Sequence, residues 1–282
     1  KVVGILEALG FSVSKKRGGL SVKIPTWRAT KDISIPEDLV EEVARIIGYD
    51  NIVPKMPVFE LAYNAPDKLQ ELTRASRAAI VYGAGATEIY SYSFNAETTL
   101  KSLDMNYFNY WQLSNALDSS RRFLRQSLVP NLIEAVVNNL RFGALINIFE
   151  VGKIFSANLG KQLVCNSGTE KLPEQNVVAG GAIMADNSFF YAKGIVEKLA
   201  SYLNYSIEFQ RPSSVEPWQH PQKTLEIFIA GEKIGFVTEL HPSKAQVFDI
   251  TSGIGLWQLD LSKLAECEQD AIVYEKINKY PT

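Results

Sequence analysis

The sequence has few of the residues that most often bind transition metals or form disulfides. Its 282 residues include two cysteines, Cys165 and Cys267, and two histidines, His220 and His241. The cysteines lack metal-ligand spacing, which indicates a reduced, cytoplasmic protein. Each histidine precedes a proline near an apolar strand pattern. Two histidines without a neighbouring cysteine favour a structural role over a metal site.

Other absences exclude whole classes of protein. The apolar run at 144–149 is broken by Asn147 and is too short to cross a bilayer, and no signal peptide is visible. The glycines at 83–86 lack the lysine and hydroxyl residue of a phosphate loop, and Ser127 and Ser201 lack the setting of a nucleophile elbow. The net charge of −2 means that any nucleic-acid contact must come from local basic patches.

The first 57 residues predict a small unit with the order helix, hairpin, helix. Short alternating strands flank the turn-forming residues 17–19, and a second apolar stripe runs from Pro36, a favourable first helical residue, to Gly48. This order resembles a winged-helix-type module without its beginning. Residues 51–66 carry three prolines and little periodicity, which predicts a linker at 58–66.

The remaining residues, 67–282, predict an α+β core. Strand patterns follow one another more often than they alternate with helices, which favours a large antiparallel sheet with flanking helices. A compact turn is predicted at 230–233. The predicted helices lie at 69–80, 131–140 and 192–203, and the predicted strands at 88–94, 110–113, 146–151, 177–184, 225–229 and 234–240.

A group of carboxylates surrounds the start of the second helix. Asp38, Glu41 and Glu42 lie at i, i+3 and i+4 on one helical face, and Asp32 precedes them in the loop. Crowded oxygen ligands suit Mg²⁺. They equally complement a helix dipole, with Arg45 available to pair with either glutamate. Spacing alone leaves both interpretations open.

Sequence motifs add a resemblance to a known family. Residues 24–28, Asp32 and 37–52 closely resemble the magnesium-site domain in the beta subunit of bacterial-type phenylalanyl-tRNA synthetase. The resemblance covers nearly the whole chain. Segments similar to the family's recurring ones lie at 113–117, 124–132, 148–155 and 192–197, and at the two His-Pro pairs.

This resemblance implies a role and a set of ligands. Asp32, Asp38, Glu41 and Glu42 would bind Mg²⁺ near a contact with the alpha subunit. The expected assembly is an alpha2 beta2 heterotetramer that aminoacylates tRNA(Phe) with ATP, bound mainly by the alpha subunit. Editing domains would precede Lys1, and an anticodon-binding domain would follow the last residues.

The resemblance also implies that this portion is not itself the catalyst. Class II synthetases meet phosphate charge with two arginines. The first has its nearest equivalent in Arg125, but Ser127 replaces the glutamate of that motif, and Leu261 lies where the second arginine is expected. The resemblance therefore implies that residues 67–282 form a degenerate class II synthetase-like core that is inactive alone and acts as a scaffold.

A group of arginines forms a second candidate site, and two alternative functions are considered beside the synthetase subunit. The arginines form a loose cluster that could contact tRNA phosphates or simply face solvent or a subunit. A stand-alone class II-like ligase remains an alternative. A winged-helix DNA-binding protein is disfavoured, because the helix from Pro36 is acidic and would be repelled by the DNA backbone. The candidate tRNA-binding residues are Arg121, Arg122, Arg125 and Arg141.

Overall fold

The computed structural model describes residues 1–63, 65–143, 145–163 and 171–274, so Cys165 lies outside the described residues. The chain divides into two compact units, Lys1–Asn64 and Ala65–Thr282. The division lies within the predicted linker, while the boundaries at 57 and 67 stay predictions. No helix in these ranges is long and apolar enough to span a membrane.

The first unit is a helix, a hairpin and a second helix, as the sequence predicts. A small core of Leu6, Phe11 and Ile33 holds them together. Pro36 is the first residue of the second helix, and Gly48, with φ 88°, follows its last residue. The likeness to a winged helix stays a prediction. The elements are α1 (Val2–Ala8), β1 (Ser12–Lys16), β2 (Gly19–Lys23), α2 (Pro36–Ile47) and a 3-10 turn at Tyr49–Asn51.

The second unit is an α+β domain built on a long-stranded sheet. Its helices are α3 (Lys68–Ala84), α4 (Glu97–Ser102), α5 (Val129–Asn139), α6 (Ser188–Tyr202), α7 (Pro242–Val247) and α8 (Leu261–Glu266), with a 3-10 turn at Leu140–Phe142. Its strands are β3 (Thr87–Glu88), β4 (Phe94–Asn95), β5 (Phe123–Leu124), β6 (Ile146–Leu163), β7 (Lys171–Met184), β8 (Glu208–Gln210), β9 (Gln219–Ile229), β10 (Glu232–Leu240) and β11 (Ile254–Asp260).

In the described part of the chain, seven strands form the main sheet in the order β3-β6-β7-β11-β10-β9-β8. Among the described residues five of its six strand pairings are antiparallel, and the edge pair β3–β6 is parallel. The predicted antiparallel sheet is therefore a mixed one, with its parallel pair at one edge. At this edge β3, which follows α3, runs in the same direction as β6 and pairs Thr87 with Ile148 and Glu88 with Phe149.

Both faces of this sheet are covered by helices. Side chains alternate between faces along each strand, so Phe149 and Trp257 pack in one core with α3, α6 and α8 residues. Ile148 and Leu256 pack in the opposite core with α5. Gly181 lies beneath the Trp257 indole, where a Cβ atom would come within 2.6 Å of the ring nitrogen. A glycine is required there because the indole occupies the space of a side chain.

Two strand predictions are wrong in extent. The segment 88–94 is not one strand: only its ends belong to β3 and β4. After Ile89, whose N–H still donates to β6, the Tyr92 carbonyl accepts from the Asn131 side chain and the Ser93 carbonyl from the Arg125 N–H. The segment 110–113 contributes a single bridge, Gln112 to Phe123. Aromatic alternation produces a strand pattern in both places without a partner strand along the full length.

Candidate functional site

The carboxylate group of the first unit is organised by α2 and by one arginine. Asp38 lies in the first turn of α2, and its Oδ2 accepts hydrogen bonds from the Ser34 and Ile35 N–H groups at 2.6 and 2.9 Å. The Ile35 and Ser34 donors hold the pKa of Asp38 below its ordinary value. This is a helix-start contact of the kind that satisfies otherwise unpaired backbone donors.

Arg28 bridges two of the predicted ligands. Its Nε lies 2.7 Å from Asp32 Oδ2, and its Nη2 lies 2.9 Å from Glu42 Oε1. Arg45 Nη2 lies 2.7 Å from the other oxygen of Glu42. The hydrogen bond from Arg28, followed by that from Arg45, lowers the pKa of Glu42 to about 2. The hydrogen bond to Asp32, followed by that to Glu42, raises the pKa of the Arg28 guanidinium above its ordinary value.

The fit of this group to a metal ion is incomplete in the present side-chain arrangement. Among the described residues, no three histidine, cysteine, aspartate or glutamate side chains converge closely enough to hold a metal. Both oxygens of Asp32 and of Glu42 accept guanidinium hydrogen bonds, and Glu41 is exposed. The magnesium assignment stays a prediction.

The sequence did not single out Arg28 as the bridge. Its signal is the short i, i+4 separation from Asp32, and the turn at 26–32 brings the two oppositely charged side chains together. The contact to Glu42 spans 14 residues and needs the tertiary fold. Arg28 also lies 5.3 Å from the centroid of the Phe11 ring in the small core, which fixes the guanidinium in place.

The four arginines predicted to contact tRNA do not form one basic surface. Arg121 pairs with Glu134 at 2.7 Å, and Arg122 lies 3.6 Å from Glu97. Arg141 is exposed and stacks over Phe142 at 4.6 Å. Arg125 is buried, so it reaches no phosphate without leaving its partners. A tRNA-contact role for the three other arginines stays a prediction.

Arg125 belongs to a buried polar network. Its Nη1 lies 2.7 Å from Glu150 Oε1 and donates to Ser91 Oγ at 2.9 Å, while its Nε donates to the Lys153 carbonyl at 2.8 Å. Gly152 makes room: a Cβ atom there would come within 2.3 Å of Arg125 Nη2. Sequence spacing does not indicate Glu150 as the partner of Arg125, because the two residues lie 25 positions apart.

The residues that follow Arg125 continue across the same face of the sheet. Ser127 Oγ and the Leu128 N–H both donate to Gln258 Oε1 at 2.9 Å. The Leu128 side chain lies over Gly180 of β7, 3.3 Å from where a Cβ would be. The segment 125–128 thus covers strands β6, β7 and β11 with the chain's own side chains. Leu261, at the second expected arginine position, is fully buried.

Both histidines make local hydrogen bonds to backbone N–H groups, His220 near the start of β9 and His241 just before α7. His220 Nδ1 accepts from the Gln222 and Lys223 N–H groups at 3.1 and 3.2 Å, and His241 Nδ1 accepts from the Ser243 N–H at 3.2 Å. Because Nδ1 is the acceptor, the proton of each neutral imidazole is on Nε2. This tautomer suits a turn-stabilising residue and not an Nε2 metal ligand.

Comparisons with known proteins agree on one family. Residues 1–49 match the family model described as tRNA synthetase B5 domain, and residues 52–261 match the phenylalanyl tRNA synthetase beta chain CLM domain. The phenylalanine–tRNA ligase beta subunit of Staphylococcus saprophyticus is 32% identical over 99% of this chain, and that of Staphylococcus haemolyticus is 31% identical over all of it. The chain spans 35% of the length of each of these relatives.

Solved structures show the same fold class. The crystal structure of pyrrolysyl-tRNA synthetase from Desulfitobacterium hafniense matches with a TM-score of 0.54, covering 70% of this chain and 67% of that one. A second structure of the same enzyme gives 0.53, covering 73% and 74%. Sequence identity is 14% and 13%, so this likeness concerns the fold alone. The two matching family models and the 32% identical relative together show that the chain belongs to the phenylalanyl-tRNA synthetase beta chain family.

Proposed function

We propose that this chain is a non-catalytic part of phenylalanine–tRNA ligase that scaffolds the catalytic alpha subunit in the cytoplasm and helps to position tRNA(Phe). The observation that carries the proposal is the segment 125–128, which lies across the sheet. Its arginine charge is neutralised by Glu150, and its serine and backbone donate to Gln258. Arg125 is thereby held in a buried ion pair and is not free to meet the phosphates of ATP, a contact that rapid adenylate formation requires.

A groove between α3 and α6 supports the assembly role. Four aromatic side chains stand exposed around it, by 56 to 88%, which is costly in water unless a partner covers them. Gly83 and Lys198 contribute to both of the cavities along this groove. The exposed aromatic residues are Tyr82, Phe190, Tyr191 and Tyr202. We assign this groove to the contact with the alpha subunit.

Assembly is tested by pull-down of the alpha subunit with the isolated chain. Phe190→Asp and Tyr82→Asp should each weaken capture, because a buried carboxylate opposes an apolar interface. Phe108→Asp is the matched control, since Phe108 is 91% exposed and does not line the groove. Equal capture by all three variants would refute the assignment of the groove.

Absence of catalysis is tested by phenylalanine-dependent exchange of pyrophosphate with ATP. The isolated chain should show none, and the mixture with the alpha subunit should show it. Exchange by the chain alone would favour the alternative of a stand-alone class II-like ligase. A second beta subunit in an alpha2 beta2 complex is part of the same proposal, and mass measurement of the assembled complex tests it.

The magnesium role belongs to the same proposal. Arg28 and Arg45 pair with Asp32 and Glu42, while Asp38 has only N–H and hydroxyl donors among the described residues. One divalent cation would match the two remaining carboxylate charges, those of Asp38 and Glu41, and would supply charge neutralisation. Side-chain rotation would be needed for all four carboxylates to share it.

Replacing the glutamates separates the two interpretations of this group. Glu41→Gln with Glu42→Gln should weaken Mg²⁺ binding, measured by calorimetry, and should weaken capture of the alpha subunit. Glu37→Gln is a control on the same helix that keeps the four carboxylates. If the double variant binds Mg²⁺ and the alpha subunit as the control does, the carboxylates only complement the helix terminus.

A further inference from the structure

Two exposed tyrosines stand side by side between β3 and β4. Tyr90 and Tyr92 are 79% and 78% exposed, whereas Ile89, Ser91 and Ser93 are partly buried. This alternation is the period-two pattern of an extended segment. Both phenol rings therefore leave the backbone on the same side, towards solvent.

The backbone that carries these rings is anchored. Ser91 Oγ donates to Glu150 Oε2 at 2.5 Å in the buried arginine network, which turns the flanking tyrosines outward. The Tyr92 carbonyl accepts from Asn131 Nδ2 at 3.0 Å, and the Ser93 carbonyl accepts from the Arg125 N–H at 3.0 Å. Rings on a fixed backbone are preorganised, so a ligand that contacts them loses little further conformational entropy.

A cavity of about 590 Å³ opens beside the two rings. This volume lies within the usual range for small-ligand sites. Its wall includes Arg121 and Glu134, which pair at 2.7 Å and cancel in charge, and the exposed carboxamide of Asn138. A neutral cavity with aromatic walls and an amide suits a planar, uncharged group with hydrogen-bonding edges. Nucleobases have this chemistry, and Asn carboxamides pair with their edges.

The spacing of the rings fits the same ligand. Residues two apart in an extended segment are separated by about 6.6 Å. Stacked nucleotides repeat at about 3.4 Å, so one base inserted between two rings requires the rings to be about 6.8 Å apart, which is twice that repeat. We propose that Tyr90, Tyr92 and the adjoining cavity bind an unpaired nucleobase of single-stranded RNA. This deepens the tRNA-positioning part of the proposed function and rests on it for the identity of the RNA.

The charged side chains near this site determine how strongly binding should depend on salt. Arg121 pairs with Glu134, while Lys101 and Arg122 share Glu97. Three cations against two carboxylates leave a net charge of only +1 for a phosphate backbone. Binding should therefore depend on stacking and only weakly on salt. Affinity should fall by no more than about threefold between about 50 and 200 mM salt, the loss expected for roughly one phosphate contact.

The test uses the whole chain and a pentamer of riboadenosine with 2-aminopurine at its centre. Stacking on the tyrosines should quench the 2-aminopurine fluorescence and report the dissociation constant. Tyr90→Ala and Tyr92→Ala should each weaken binding at least about fivefold, the lower end of the effect of removing a stacking ring. Tyr90→Phe and Tyr92→Phe should bind like the parent. Tyr63→Ala is the control, since Tyr63 is 86% exposed and does not line the cavity.

Several outcomes would overturn the proposal. These are no quenching by the parent chain, equal affinities of the Tyr90→Ala, Tyr92→Ala and Tyr63→Ala variants, equal binding of a duplex, or a steep loss of affinity with salt. Loss of alpha-subunit capture by Tyr92→Ala with unchanged RNA binding would assign the rings to a protein contact instead. If base binding fails while alpha-subunit capture persists, the scaffold function stands and only this site falls. Melting curves of each variant show whether the fold is retained.

Discussion

Arg125 Nη1 lies 2.7 Å from Glu150 Oε1, and both side chains are 3% exposed. Glu150, Ser91 and the Lys153 carbonyl accept hydrogen bonds from the Arg125 guanidinium, which therefore points into the sheet and not out towards a ligand. Moving a charge from water into the protein interior is costly, and the attraction between the two opposite charges offsets that cost only with good geometry and additional hydrogen bonds. This network supplies both. It joins the segment before α5 to β6.

Breaking the pair from either side should destabilise the second unit. Arg125→Met leaves a buried carboxylate, and Glu150→Gln leaves a buried guanidinium. Each should lower the free energy of unfolding by about 3–5 kcal/mol. The double variant should lose less than the sum of the two, because neither charge is then left alone. Urea unfolding followed by tryptophan fluorescence measures all four species. Additive losses within about 0.5 kcal/mol would show that the two groups are not coupled.

Gly152 should be intolerant of a single methyl group. In Gly152→Ala the Cβ would lie 2.3 Å from Arg125 Nη2, so the guanidinium must shift from Glu150. Such overpacking should cost about 1–3 kcal/mol. Gly194→Ala is the matched control, because Gly194 lies inside α6 with no atom near its Cβ position. That variant should gain about 0.5–1 kcal/mol from helix propensity. Thermal unfolding of both variants should give shifts of opposite sign, and equal shifts would contradict the argument.

Much of the fold follows from local signals in the sequence. The apolar stripe after Pro36 predicts α2, and the paired apolar runs around the turn at 230–233 predict β9 and β10. The long strands exceed their predicted lengths, since β6 continues to Leu163 where the sequence loses its apolar run. The parallel β3–β6 pair could not be predicted, because two residues at an edge carry no periodicity.

The candidate sites likewise combine features that local spacing predicts with contacts that depend on the tertiary fold. Carboxylates near α2 can be found from spacing on one helix. Their neutralisation by Arg28 depends on a contact with Glu42 across 14 residues, which spacing does not encode. The burial of Arg125 is equally non-local, because its carboxylate lies on β6. The aromatic pattern predicts Tyr90 and Tyr92 as strand residues. Their exposure to solvent follows from tertiary contacts that anchor Ser91 and the Tyr92 carbonyl, which the pattern does not encode.

The turn between β9 and β10 offers a stabilising substitution. Ala230 and Gly231 both have positive φ, 49° and 83°, which is the geometry of a two-residue type I′ hairpin turn. Alanine is strained there, whereas asparagine tolerates the left-handed region. Ala230→Asn should raise the free energy of unfolding by about 0.5–1 kcal/mol, and Gly231→Ala should lower it by about 1–2 kcal/mol. Thermal melting of the two variants checks this, and a neutral Gly231→Ala would be inconsistent with the turn.

Glu42 should make the first unit sensitive to acid. Its folded pKa of about 2 lies below the ordinary value near 4.3. Ionised Glu42 therefore adds stability that is fully present above about pH 4.3 and is lost as the pH falls towards 2. Titration of the Glu42 side-chain carbonyl by carbon NMR measures the pKa directly. Arg28→Gln should raise it most, because Arg28 contributes the largest effect, and Arg45→Gln should raise it less. An unchanged Glu42 pKa in Arg28→Gln would mean that the bridge between Asp32 and Glu42 does not form in solution.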